Sequence, residues 1–133
     1  MKNQVTSIVQ SKRLIEMGVP AGIASMSWVK FDDVCFLSTL PYYKATLESD
    51  EGEEVIAAFM VYDLLSVLPK TITNSKGGVH KLHIEVCSST NHCWCLFWGN
   101  EEIQIGWCER ISFLHLIEDA TEWLLSNGYK LNL

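Results

Sequence analysis

Residues 79–108, VHKLHIEVCSSTNHCWCLFWGNEEIQIGWC, decide how this chain folds. Val79 to Cys87 alternates, with Leu82, Ile84 and Val86 on one side and Lys81, His83 and Glu85 on the other. That is the period-two pattern of a half-buried strand. His92 to Trp98 reads as a second strand and Ile103 to Cys108 as a third. The links SSTN and GNEE are short and turn-like, so the three strands form an antiparallel meander. Ile103, Ile105 and Trp107 share the core face, and an even-length turn around Gly99-Asn100 pairs them with Trp94, Leu96 and Trp98. Bringing Leu82, Ile84 and Val86 to the same side needs a first turn of odd length, such as Ser88 to Thr90. A slip of one residue would turn the first strand inside out, so burial enforces this register.

The opposite face then carries His83, Cys87, Cys93, Cys95, Phe97 and Cys108. Tetrahedral zinc needs four ligands within about 2.3 Å of one point. Neighbouring strands lie about 4.8 Å apart, which sets Cys87 and Cys108, on the outer strands, roughly 10 Å apart. His80 and His83 are three residues apart, so a strand sends them to opposite faces. The reading is therefore of cysteines acting as small apolar residues on a face that a helix or partner covers. No metal site and no cofactor are expected.

The rest of the chain supplies helices. Residues 6–18 read as the first, capped by Thr6 or Ser7 and ended by Gly18 before Pro20. Ala21 to Met26 reads as a further helical turn. Within 28–47, Val34-Cys35-Phe36-Leu37 and Tyr42-Tyr43 have strand-like composition. ESDEGEE, 48–54, reads as a solvated loop, since its carboxylates do not match a calcium-loop spacing. FMVYDLLSVL, 59–68, is a short apolar helix stopped by Pro69, with Val61, Leu64, Leu65 and Leu68 on one face. Within it Asp63 either faces solvent or bonds a backbone group. Thr71 to Gly78 reads as a polar loop. Residues 112–126 form the last helix, ended by Asn127-Gly128, with a polar face of His115, Glu118, Asp119, Glu122 and Ser126. The expectation is a single α+β domain over 1–133: an antiparallel sheet, with the meander at about 79–108, packed against N-terminal, central and C-terminal helices.

Composition narrows the function. The 133 residues are 48% apolar and 20% charged, with only three prolines, as in a globular protein with a real core. The net charge of −6 and the absence of a basic stripe disfavour direct nucleic-acid binding. No apolar run is long enough to span a membrane and no signal peptide is evident. Five cysteines, an odd number in no regular framework, fit a reducing cytoplasmic setting with free thiols. No Walker, dinucleotide, zincin or nucleophile-elbow motif is present.

Three segments, QSKRLIEMGVP (10–20) with ASM (24–26), FMVYDLLSVLPK (59–70) and IEDATEWLLSNGYKL (117–131), resemble a family of short prophage- and mobile-element-associated proteins of gut Bacteroidetes. Phe59 and Met60 depart from the Trp and Ser usual there, and 28–58 matches poorly. The resemblance implies a small α+β fold and carries no activity, cofactor or site. The combined expectation is a non-catalytic binding or protein-interaction protein, with a protein partner or a homodimer covering apolar surface. One alternative is a small enzyme with its site on the His83/cysteine face or the acidic C-terminal helix. Another is an acidic inhibitor imitating nucleic acid.

Overall fold

The computed structural model describes residues 5–86, 94–98, 104–107 and 113–133. For 85, 86, 94–97 and 104–107 the backbone alone is described. The architecture is mixed α+β, and the chain comprises two compact units, Met1–Leu65 and Ser66–Leu133, each built on its own antiparallel sheet. Unfolding decides whether they make up the one domain expected: one transition for one domain, two for two.

In the first unit α1 (Ile8–Glu16) begins at Ser7. The Ser7 hydroxyl accepts from the Gln10 backbone N–H while the Gln10 side chain accepts from the Ser7 N–H, a complete capping box. The helix ends at Gly18, whose φ of 108° only glycine adopts readily. There the Val19 and Gly18 N–H groups donate to the carbonyls of Leu14 and Ile15, the Schellman arrangement, with Val19 and Leu14 both buried. Only a short 3₁₀ turn, Ala21–Ile23, precedes β1 (Met26–Phe31), so the helical turn expected at 21–26 is cut short by strand pairing. β2 (Val34–Ser38) returns through Asp32-Asp33, and β3 (Glu53–Ala58) closes the order β2-β1-β3.

Two expectations fail between 42 and 58. Tyr42-Tyr43 opens a helix, α2 (Tyr42–Glu48), started by Pro41 and anchored by buried Ala45. Tertiary burial of one alanine overrides the weak strand preference of the tyrosines. ESDEGEE is not wholly a loop either, because Glu48 ends α2 and Glu53-Glu54 start β3. Ile56, Ala57 and Ala58 are all buried, so neither sheet face there is left to water and no alternation marks the strand. α1 packs against β3, and α2 against β3 and β1. The N-terminal helix thus packs on this sheet.

α3 (Val61–Val67) begins two residues later than expected, because Met60 bridges Val5 in strand fashion. In the second unit β4 (Thr71–Thr73) pairs with β5 (Val79–Val86), which corrects the polar loop read at 71–78. Asn74 organises the tight return, its side-chain oxygen accepting from the N–H groups of Lys76 and Gly78. The meander follows as β5, β6 (Trp94–Trp98) and β7 (Gln104–Trp107). Leu82 lies opposite Trp98, Ile84 opposite Leu96 and Val86 opposite Trp94, the register expected from burial. β7 departs from it. From Leu96 to Cys95 the partner moves from Ile105 to Trp107, leaving Gly106 unpaired and Trp107 opposite Cys95, not Trp94. An extra glycine in one strand of a pair is a bulge.

α4 (Phe113–Ser126) packs on β6 and β7, and its Leu114, Ile117, Ala120 and Leu124 are buried. It ends at Gly128 in the same way that α1 ends at Gly18. Among the described residues no helix is long and apolar enough to cross a membrane.

Candidate functional site

Of the two sequence-predicted sites, the His83/cysteine face lies largely outside what is described. Cys87, Cys93 and Cys108 are not among the described residues, and for Cys95 the backbone alone is given. His83 is exposed on β5, opposite Phe97 in the register. His80, on the other parity, is half-buried and its Nε2 lies 3.1 Å from the Asn74 amide nitrogen, a contact that braces the turn before β5. Among the described residues no three His, Cys, Asp or Glu side chains gather so as to hold a metal ion.

The acidic face of α4 is not one face. His115, Asp119, Glu122 and Ser126 are exposed, but Glu118 is buried with the apolar side of the helix. Position 118 follows Leu114 by one helical turn, so it inherits the buried stripe of Leu114, Ile117 and Thr121. Glu118 and Glu122 are therefore split between an interior and a wet position and do not form an outward carboxylate pair. The charge run at 48–54 is likewise divided, with Asp50 and Glu53 closing a turn through the Asp50 N–H to Glu53 carboxylate bond.

Asp63 is buried in the first unit and heavily used. Its carboxylate accepts from the Met60 N–H (2.8 Å), the Ser25 N–H (2.9 Å) and the Ser25 hydroxyl (2.5 Å). Asp63 is the third residue of α3, so the first bond satisfies an orphan donor at the helix start. The Ser25 bonds tie that start to the chain entering β1. A second buried polar knot joins the amino end to the same region. The Thr6 hydroxyl lies 2.6 Å from that of Ser11 and accepts from the Phe59 N–H, while the Thr6 N–H donates to the Phe59 carbonyl. The Trp28 indole donates to the Thr6 carbonyl. Both groups hold backbone in place.

What the first unit does present outward is β2. Val34 is 65% exposed and Phe36 52%, and Phe31, across the turn, is 48% exposed. Cys35, between the two β2 residues, is an exposed thiol in no disulfide. The register Phe31↔Val34 and Val29↔Phe36 places Phe31, Val34 and Phe36 on one side of the sheet. β2 is also an outer strand of its sheet. The segment VCFL read as a strand from composition, but its exposure on both sides was hidden by the absence of polar residues. Comparison with protein-family models, with curated proteins and with solved structures finds no match for the chain.

Proposed function

We propose that this chain is a non-catalytic protein-interaction protein of mobile-element type, and that β2 is its contact strand. One observation carries the proposal: an outer strand without a charged side chain shows Val34, Cys35 and Phe36 to solvent. Scattered exposed apolar residues are ordinary, but a contiguous apolar strand at a sheet edge is a template for pairing. The other outer strands with described side chains lack this character. β4 is three residues long with its two threonines exposed, and β3 begins with Glu53-Glu54. The mobile-element assignment rests on the three resembling segments alone.

Chemical cross-linking in host cells tests the contact. Val34→Lys, which puts a charge on the strand, is expected to remove the cross-linked species that the unaltered chain forms. An unchanged set of species would end the proposal. The origin is tested separately, by whether the transcript rises with phage genes after DNA damage.

A further inference from the structure

We infer that the occupant of the β2 edge is a second copy of this chain, joined through antiparallel pairing of β2 with itself about a two-fold axis at Phe36. The inference rests on β2 being the contact strand and names its partner. Phe31 and Val34 close a two-residue turn, so their backbone groups point at one another. Alternation then directs the N–H and C=O of Val34, Phe36 and Ser38 toward β1, and those of Cys35 and Leu37 toward the open edge. A two-fold at Phe36 sets Cys35 of each copy opposite Leu37 of the other, so that both outward pairs of groups are satisfied. It also sets Val34 opposite Ser38 and uses the whole of β2.

Charge selects the same arrangement. β2 itself is uncharged, and the acidic turn Asp32-Asp33 lies at one end of it. Antiparallel pairing about Phe36 places Asp33 opposite Thr39 and Asp32 opposite Leu40 of the other copy. Parallel pairing would set the two acidic turns side by side, where like charges directly opposite destabilise a sheet. The apolar side chains of Phe31, Val34 and Phe36 from both copies then form one stripe across the axis. Phe31 and Phe36 are each about half exposed, so at about 200 Å² per aromatic side chain they offer roughly 100 Å² apiece, and with Val34 and the joined edges the contact removes at most on the order of 1,000 Å² in all, the low end for specific association. Affinity is accordingly expected in the micromolar range.

Light scattering on the purified chain is expected to show the mass rising from monomer to dimer between about 1 and about 100 µM. Cys35→Pro removes an outward N–H that the monomer does not use, so it is expected to abolish the dimer while circular dichroism stays unchanged. The register is read by mild oxidation and peptide mapping. At the axis the two Phe36 Cα atoms come within about 4.5 Å, inside disulfide reach, whereas the two Cys35 Cα atoms are diagonal neighbours about 7–8 Å apart. Phe36→Cys with Cys35→Ser is thus expected to link two copies through position 36, and native Cys35 is not. A monomer throughout this range, or linkage through Cys35 in preference to position 36, overturns the inference. If the purified chain stays monomeric while Val34→Lys still removes a cross-link to another protein in cells, β2 remains the contact strand and the second copy is wrong. If both results are negative, the two proposals fall together.

Discussion

The two units solve the same problem with different materials. The first closes its sheet around small residues, with Ala57 and Ala58 fully buried. It draws its chain ends together with buried hydrogen bonds, at Thr6, Ser11 and Phe59 and again at Asp63, Ser25 and Met60. The second relies on large rings. Trp98 is fully buried, its indole donates to the Pro69 carbonyl, and it stacks on Trp123, which stacks in turn on Tyr129. Beside the buried side chains of Phe59, Leu14 and Leu64, these directional bonds fit the first unit to one arrangement. Large rings bring area that is less particular about partners, and among the described residues of the second unit Trp98, Trp123 and Tyr129 form one stacked series.

The largest expected effect breaks the aromatic side of this contrast. Trp98→Ala removes a fully buried ring and is expected to cost about 4 kcal/mol, read as the shift in urea midpoint of the transition that carries Trp123 fluorescence. A loss below about 1 kcal/mol would mean that the stack is not what holds the second unit. Next comes the polar side. Asp63→Ala leaves the N–H groups of Met60 and Ser25 without that carboxylate and is expected to cost about 3 kcal/mol. Asp63→Asn, which keeps one oxygen acceptor, should recover part of the loss. If the two variants are equally destabilised, the charge and not the geometry matters at this site. The smallest effect sharpens the comparison. Thr6→Val keeps the shape but deletes the hydroxyl shared by Ser11 and the Phe59 N–H, at about 2 kcal/mol. Combined with Ser11→Ala, the total should fall short of the sum of the single losses, because both remove one bond. Strict additivity would show that the two hydroxyls act independently.

Legibility followed solvent. The meander could be read because β5 has one covered side, with Leu82 and Ile84 half-buried and Lys81 and His83 exposed. Its exception, Trp107, hinged on Gly106, and an isolated glycine inside a strand is itself a bulge signal. β3 was invisible for the opposite reason, since Ile56, Ala57 and Ala58 have no wet side to produce alternation. β2 escaped a clear reading because Val34, Cys35 and Phe36 are apolar yet exposed, so its composition describes an interior that the isolated chain does not provide. Such a mismatch between local sequence and surroundings is the observation from which the contact strand is proposed. Glu118 was misplaced because wheel position, not side-chain type, set its burial on α4.

The rings of Trp98 and Trp123 lie 6.2 Å apart and within 11° of parallel. Chromophores held that close couple their electronic excitations, so the ultraviolet dichroism band of the pair should change as the rings separate. That band is a label-free optical gauge for the second half of the molecule, responding to the stack whatever the first half is doing.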